Sequence, residues 1–238
     1  MSAFQPNRGA APRRPAGAVS LRILAALLGY PDAQLRSHLP EMAQLLNQDG
    51  AINRPRAAEL MALMAALEHA EPLASEAAYV ELFDRGRATS LHLFEHVHGD
   101  SRDRGPAMID LGQTYESAGL VLAEGELPDY LPAVLEFIST QPATEAKAFL
   151  GEIAHILKVI FGALKARETA YASVLGALLE LAGEKAEAVA PAPEPTLDES
   201  WAEPVVFDGC STQGQARPGQ PQPIHIVRKS PIAQGASS

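Results

Sequence analysis

One stretch of the sequence, His92-Leu93-Phe94-Glu95-His96, matches a catalytic motif. It reads His-x-x-Glu-His, which is the inverted zinc-hydrolase signature. On a helix, residues 92 and 96 lie on one face, so both imidazoles could bind zinc while Glu95 activates a water molecule. The sequence singles out no third ligand, and short patterns recur by chance. We therefore interpret the motif as the polar side of an amphipathic helix, with a zinc hydrolase based on His92, Glu95 and His96 as the alternative.

Other catalytic patterns are missing from the sequence. It has no nucleophile elbow, no phosphate-binding glycine loop and no dinucleotide-binding fingerprint. The only cysteine, Cys210, lies in a stretch rich in proline and glycine, where no helix end or fixed base is expected to activate it. A single cysteine also excludes a disulfide framework and is typical of a reducing compartment. We predict that the protein is not an enzyme and has no cofactor or metal of its own.

Basic residues are distributed unevenly along the chain. Four arginines lie close together in the sequence, namely Arg85, Arg87, Arg102 and Arg104. They could contact an anion or an acidic surface, or they could form internal salt bridges with neighbouring acids. The sequence favours neither interpretation over the other.

The next stretch, between Arg104 and Lys147, contains no lysine or arginine. It does contain seven acidic residues, which are Asp110, Glu116, Glu124, Glu126, Asp129, Glu136 and Glu145. The same stretch carries apolar residues such as Leu131 and Phe137. Apolar residues beside acids without basic neighbours suit a groove that binds a basic amphipathic peptide. The alternative is a solvated acidic face over core leucines, and the sequence leaves both open.

The overall composition limits the class of protein. The chain has 238 residues, and 47% of them are hydrophobic, which is enough apolar side chain for a sizeable core. Its formal net charge of −10 argues against nucleic acid or an anionic membrane surface as the main partner. The longest uncharged apolar runs are far shorter than the ~20 residues of a membrane span. We therefore predict a cytoplasmic protein with no stable membrane association.

The elements that position these residues are predicted to be helices. Between about residues 20 and 185, apolar residues recur at spacings of three and four, and no stretch alternates long enough for a strand. We predict an all-α fold, a single compact domain of about eight to ten helices. Pro40 is expected to divide one helical segment in two, whereas residues 88–97 and 143–165 are each expected to form one helix.

The two ends of the chain differ in composition from the middle. Residues 1–19 and 186–238 are rich in proline and glycine, so we predict two disordered tails around a helical domain of residues 20–185. The second tail contains two short apolar segments, around Trp201 and at residues 224–227. These segments could dock onto the domain or bind partners, and docking is the simpler interpretation for Trp201.

Several motifs, taken together and in order, resemble a known family. They are Leu28-Gly29-Tyr30-Pro31-Asp32, Tyr79 to Arg85, Ser90-Leu91-His92-Leu93, His98-Gly99-Asp100-Ser101-Arg102 with Gly105, and Leu127-Pro128-Asp129-Tyr130-Leu131-Pro132 continuing to Phe137. The tail fragments Trp201 to Pro204 and Pro223-Ile224-His225 also fit. On these motifs the sequence resembles the NarJ-type nitrate reductase assembly chaperones over roughly residues 20–185.

The resemblance implies an all-helical chaperone of the molybdoenzyme maturation group, which catalyses no bond change. Members of that family bind the apo catalytic (alpha) subunit of respiratory nitrate reductase, including its N-terminal segment. They keep it competent for insertion of the molybdenum cofactor and delay its docking to the membrane subunit. The same partner is therefore expected here, and a chaperone for a different molybdoenzyme is the alternative.

The resemblance and the acidic stretch together predict the residues that bind the partner. They are Tyr79, Phe83, Asp84, Leu91, His98, Asp100, Leu127, Pro128, Asp129, Tyr130, Leu131, Glu136 and Phe137. We expect an apolar groove near residues 79–83 and 127–137 to hold the N-terminal peptide. Wider relatives often have histidine at the position of Tyr130, and a tyrosine cannot become cationic near neutral pH. This departure argues against a pH-sensitive role for that position.

Overall fold

The computed structural model describes residues 17–98 and 101–189, which contain ten α-helices, a short 3-10 helix at Arg87–Thr89 and no strand. The helices are α1 (Ala18–Leu27), α2 (Ala33–Asp49), α3 (Arg54–His69), α4 (Pro72–Phe83), α5 (Leu93–Val97), α6 (Arg104–Ser117), α7 (Leu131–Ile138), α8 (Ala143–Glu152), α9 (Ala154–Ala166) and α10 (Ala172–Ala182). The predicted all-α fold is confirmed. Asp100, most of both predicted tails and the segments at Trp201 and 224–227 lie outside the described residues.

Three consecutive helices begin at residues whose side chains cap them. The caps are Asp32 of α2, Asn53 of α3 and Glu71 of α4. Each accepts a hydrogen bond from the backbone N–H three residues later, at 2.7, 2.9 and 2.8 Å. A capping oxygen satisfies one of the N–H groups that a helix leaves without an internal partner, so the sequence fixes these three starts locally.

The prediction that Pro40 divides a helical segment is wrong. α2 continues through Pro40 as one helix of 17 residues. A proline in a helix interior removes one backbone hydrogen bond. Leu39 precedes it and Met42 and Leu46 follow it, and all three side chains are buried. Packing on both sides of the proline therefore holds the two halves in one helix.

The predicted single helices at 88–97 and 143–165 are both interrupted. The 3-10 helix ends at Thr89 and α5 begins only at Leu93, because His92 is extended and pairs with Tyr130 in an isolated antiparallel bridge. In the second region, Ile153 lies between α8 and α9 with a ψ of 1°. That value lies outside the helical range and separates the two helices.

α7 is almost entirely buried in the described domain. Seven of its eight residues are buried, and Glu136 alone is partly exposed. α1 packs against α7 and α2, while α10 packs against α9, α8 and α3. A helix that is apolar almost all round is typical of one enclosed by other elements. The position of Glu136 is therefore set by the core itself.

After α10 the chain turns back along α9. Gly183 follows α10 with a φ of 84°, a left-handed conformation that favours glycine. Lys158 of α9 then forms a salt bridge with Glu184 at 2.8 Å, and the carbonyl of Val189 lies against Gly162 of α9, where a Cβ would not fit. Residues 184–189 therefore pack on the helical domain. Within the described residues, no helix has the length and apolarity needed to cross a membrane.

Candidate functional site

α1, α2 and α7 border a surface groove with a volume of about 660 Å³, which we call the α1/α2/α7 groove. Its floor includes the small residues Ala25 and Ala26 of α1, followed by Gly29. Because folded interiors are closely packed, larger side chains at these positions would fill the space beside α2 and α7. The small residues are therefore the local reason that the groove is open.

One face of α2 forms a wall of this groove. The face consists of Gln34, His38, Glu41 and Leu45. Spacings of four, three and four place these residues on one side of the helix. The neighbouring stripe, which is buried in the core, consists of Leu39, Met42 and Leu46. α2 thus uses one stripe mainly for folding and an adjacent stripe for lining the groove.

The groove combines an apolar floor with an acidic rim. Its large apolar side chains are Tyr30, Leu35, Met42, Leu45 and Tyr130. Its carboxylates are Asp32, Glu41, Glu126 and Glu136. Among the described residues that line the groove there is no lysine or arginine. A partner that carries both apolar side chains and positive charges would match both features.

Tyr130 forms part of the groove wall and connects it to the buried side chain of Tyr79. Its hydroxyl lies 3.3 Å from the hydroxyl of Tyr79, which in turn donates a hydrogen bond to the carbonyl of Leu28 at 2.7 Å. Burial raises the pKa of Tyr79 and of Tyr130 above the ordinary value. Both phenols therefore remain neutral and act as hydrogen-bonding groups that fix this wall.

The turn before α7, Leu127–Leu131, holds the segment that follows the 3-10 helix, and we call it the Asp129 turn. The Asp129 side chain is completely buried. Its Oδ2 accepts a hydrogen bond from the backbone N–H of Phe94 at 3.1 Å, and its backbone carbonyl accepts from Leu93 N–H at 3.0 Å. The N–H of Leu131 donates to the carbonyl of Leu91 at 2.8 Å. The turn therefore fastens the start of α5 to the start of α7.

His92 adds a titratable group to the Asp129 turn. Its Nδ1 lies 3.3 Å from Oδ1 of Asp129, and its ring packs on Tyr130 with centroids 5.3 Å apart. The hydrogen bond to Asp129 raises the pKa of His92 above its ordinary value, although burial opposes this shift. The imidazole of His92 therefore lies against Tyr130, although residues 127–131 of the turn include no histidine.

Six of the predicted binding residues are buried, and none of them lines the α1/α2/α7 groove. They are Tyr79, Phe83, Leu91, Asp129, Leu131 and Phe137, none more than 5% exposed. The aromatic ones pack in ring clusters: Phe83 contacts Tyr171 edge to face at 5.1 Å, and Phe137 contacts Tyr115 at 4.8 Å. These aromatic and leucine side chains therefore complete the core, whereas Tyr130, Pro132 and Glu136 of the predicted 127–137 stretch line the α1/α2/α7 groove.

The other predicted binding residues occupy several different places. Tyr130 and Glu136 line the α1/α2/α7 groove, and Leu127 is 44% exposed in the turn that also carries Tyr130. The remaining described residues of this group are Asp84, which is exposed, and Pro128 and His98, which are partly buried. The Pro128 carbonyl accepts a hydrogen bond from Tyr115 at 2.7 Å, and the His98 ring contacts Phe94 at 5.3 Å.

Three of the four clustered arginines line one hollow of about 420 Å³. They are Arg85, Arg87 and Arg104, whereas Arg102 is exposed elsewhere. Asp84 and Glu95 line the same hollow. Arg104 lies 3.8 Å from Glu95, and Arg85 forms a salt bridge with Glu81 at 2.9 Å. Internal ion pairs therefore account for these two arginines.

The two histidines of the His-x-x-Glu-His pattern do not form one helical face. His92 precedes α5 and contacts Asp129, while Nε2 of His96 lies 2.9 Å from the carbonyl of Ser90. Throughout the described ranges, no group of three or more His, Cys, Asp or Glu side chains is arranged to hold a metal ion. The structure therefore gives the zinc hypothesis no ligand set within the described residues.

Most of the groove residues were not predicted from the sequence, although the sequence contains a signal for them. Leu35 and Leu45 lie outside the buried stripe of α2, so the apolar surface of this helix is wider than its core contact requires. The motif Leu28 to Asp32 leads directly into α2 and contributes Gly29, Tyr30 and Asp32 to the lining. The packing of α1 against α2 and α7 is needed to recognise that these residues surround one space.

The helical fold has a counterpart among solved structures. The solved structure of a candidate redox enzyme maturation protein from Archaeoglobus fulgidus matches with a TM-score of 0.52. The match covers 76% of this chain and 100% of that one, at 17% sequence identity. At this identity the likeness shows a shared helical fold and nothing more about function.

Sequence comparison identifies the family. The profile of the nitrate reductase delta subunit family matches residues 32–177. The chain is 46% identical over 164 residues to the nitrate reductase molybdenum cofactor assembly chaperone NarJ of Escherichia coli K12, covering 69% of this chain and 70% of that protein. It is 44% identical over 163 residues to NarW of the same strain, covering 68% of each. This chain belongs to the nitrate reductase delta subunit family, and the family predicted from its motifs is confirmed.

Proposed function

We propose that the protein is a chaperone that binds the apo catalytic subunit of nitrate reductase and assists insertion of the molybdenum cofactor before membrane docking. Two findings support the proposal: the chain belongs to the nitrate reductase delta subunit family, and it is 46% identical to the assembly chaperone NarJ of Escherichia coli K12. The protein acts in the cytoplasm and catalyses no bond change in this role. Its contribution is to hold another chain, and a surface suited to that task is required.

The α1/α2/α7 groove is the surface that carries this proposal. It offers a space of about 660 Å³ with an apolar floor, four carboxylates and no lysine or arginine among the described lining residues. These properties suit the apolar side and the positive charges of an amphipathic N-terminal peptide. The groove takes the place of the one expected at residues 79–83 and 127–137, and it retains Tyr130 and Glu136 from that expectation.

The size of the groove is consistent with binding that can be reversed. Burying three or four leucine-sized side chains contributes ~5–10 kcal/mol before losses, at ~1.5–3 kcal/mol each. Ordering the peptide and restricting its motion cancels much of this free energy. Micromolar affinity is therefore expected, and such affinity allows the reductase to leave when loading is complete. The carboxylates contribute association rate and selectivity more than affinity.

Calorimetric titration of the full chain tests the proposal. The ligand is a synthetic peptide of the first residues of the nitrate reductase catalytic subunit, and the control is the same composition in scrambled order. We expect heat of binding with a micromolar Kd for the native order and a much weaker response for the scrambled peptide. No heat with either peptide at tens of micromolar would contradict the assignment of the groove.

A pull-down from nitrate-respiring cells tests the identity of the partner. We expect mass spectrometry to identify the nitrate reductase catalytic subunit in the bound fraction. Recovery of a different molybdoenzyme, such as a reductase of N-oxides or sulfoxides, would replace the partner while leaving the chaperone role in place.

A further inference from the structure

A second hollow adjoins the groove on the outer side of α4. It has a volume of about 340 Å³. Its lining consists of residues of α4, of Arg85 just after that helix, and of Tyr30; the α4 residues are Leu73, Glu76, Ala77, Val80 and Glu81. Tyr30 also lines the α1/α2/α7 groove. The two spaces therefore meet at one side chain, and we call the second one the α4 hollow.

We propose that the partner-binding surface continues past Tyr30 into the α4 hollow, so that one cationic amphipathic segment occupies both spaces. This inference rests on the proposed function of the groove and adds a second contact region to it. Tyr30 forms the partition that the bound segment crosses. The argument depends on the exposed apolar surface of α4, on the charges around it and on how Tyr30 is held.

The outer face of α4 carries apolar surface that is not covered in the described part of the chain. Leu73 is 71% exposed, and it shares a helix face with Ala77 and Val80 at spacings of four and three. α4 contributes only Tyr79 and Phe83 to the buried core. Exposed aliphatic surface next to an existing groove is typical of a binding site. The face of α4 thus extends the apolar floor of the groove.

The charges around the two spaces select the partner. Glu76, Glu81 and one arginine, Arg85, add a net charge of −1 to the four carboxylates of the groove. That arginine is already bonded to Glu81 at 2.9 Å. The surface therefore suits a positively charged segment. A second copy of this chain, with a net charge of −10, would be repelled.

Tyr30 is held weakly enough to move when a partner binds. Its side chain is 47% exposed, its hydroxyl donates to Oε2 of Glu76 at 3.0 Å, and its ring meets Tyr79 edge to face at 5.6 Å. An exposed hydrogen bond contributes little because water can replace it. A cation of the partner that pairs with Glu76 would also compete for the acceptor of Tyr30. The partition between the spaces therefore opens at low cost.

The dimensions set the length of segment that fills both spaces. Gln34 to Leu45 spans about 16 Å along α2, and Leu73 to Val80 spans about 10 Å along α4, at ~1.5 Å per residue. A helix of about 11 residues is sufficient for the groove alone. A segment that also covers the α4 hollow needs about seven residues more, or about 18 in total. Peptide length therefore distinguishes binding to one space from binding to both.

The test uses two designed peptides whose leucines recur at spacings of three and four and whose other positions are lysine. One has 18 residues and the other has 10, and calorimetry at low salt measures their Kd for the full chain. We expect Leu73→Asn to weaken the 18-residue peptide about 3- to 10-fold and to leave the 10-residue peptide unchanged. Ile109→Asn on α6, which replaces another exposed aliphatic side chain outside both spaces, is expected to change neither Kd.

The outcomes separate this inference from the proposed function. If both peptides bind and Leu73→Asn leaves the longer one unaffected, the extension onto α4 is overturned and the groove assignment stands. If neither peptide binds, the groove assignment fails and the extension fails with it. If Leu73→Asn instead changes the sedimentation of the chain alone, the α4 face contacts a second copy and the inference is overturned. Circular dichroism confirms that both variants retain the helical fold.

Discussion

The Asp129 turn and the α1/α2/α7 groove are neighbours that share Tyr130, but they use their acidic residues differently. In the turn, the carboxylate of Asp129 is fully buried and bonded to Phe94 N–H and His92. In the groove, Glu41 is exposed on the rim above small and apolar residues. One of the motifs that resemble the family therefore holds the fold together, and the candidate binding groove lies next to it.

The difference follows from the cost of burying charge. A carboxylate removed from water is destabilising unless hydrogen bonds compensate it, so a buried acid has to be committed to partners within the chain. A carboxylate on an open rim keeps its hydration and is available to an incoming cation. Variants in the two regions should therefore separate stability from binding, and the following predictions are ordered from the largest effect to the smallest.

The largest effect is expected for Asp129→Ala. It leaves the buried N–H of Phe94 without an acceptor and should lower the free energy of unfolding by about 2–4 kcal/mol, measured by urea denaturation. Asp110→Ala, at an exposed position of α6, is the control and should change it by less than about 0.5 kcal/mol. Peptide affinity of the folded fraction should stay the same. If Asp129→Ala instead kept normal stability and lost peptide binding, Asp129 would be a residue that contacts the peptide.

Ala26→Leu should weaken peptide binding and leave stability almost unchanged, which is the opposite of the effect expected for Asp129→Ala. The larger side chain enters the floor of the groove, and we expect the Kd for the reductase peptide to rise about tenfold or more. The free energy of unfolding should change by less than about 1.5 kcal/mol because Ala26 is only partly buried. Ala65→Leu on the exposed side of α3 is the matched control. Unchanged affinity in Ala26→Leu would show that the peptide binds elsewhere.

Glu41→Gln tests the acidic rim with a smaller change. It removes one exposed carboxylate from the groove, so the Kd should rise about two- to fivefold at low salt, and the difference should largely disappear near 1 M salt. Glu68→Gln, at an exposed position of α3 outside the groove, should have no effect on the Kd. An equal effect of both substitutions would indicate attraction by the net charge of the chain and no specific role for the rim.

The smallest effect concerns the pH dependence of His92. Its pKa is raised in the folded protein by the hydrogen bond to Asp129, so protonation of His92 stabilises the fold. This stabilisation is complete below the unfolded pKa of about 6.5 and is lost as the pH rises through the pKa of the folded protein. Urea denaturation between pH 6 and 8 should therefore show wild type losing stability relative to His92→Gln. A constant difference over this range would contradict the coupling to Asp129.

The sequence was sufficient for the fold class because helical periodicity is a local property. It failed at Pro40 and at His92, where buried leucines and a bridge to Tyr130 override local preference. The family signature could be read from the motifs, but whether a leucine such as Leu131 lines a groove or fills the core depends on which helices enclose it. The acidic and apolar character of the site was predictable, whereas its place between α1, α2 and α7 required the tertiary structure.

The enclosure of α7 has a consequence for how the groove responds to a ligand. Because only Glu136 of α7 is not buried, a shift of this wall would disrupt the buried packing around it. Backbone amides of α7 should be among the slowest to exchange with deuterium, with or without a ligand. Added protection on binding should appear in α2 and near Tyr30, whose surfaces face solvent. We therefore expect the α7 side of the groove to stay fixed when a ligand binds and the α2 side to adjust to its shape.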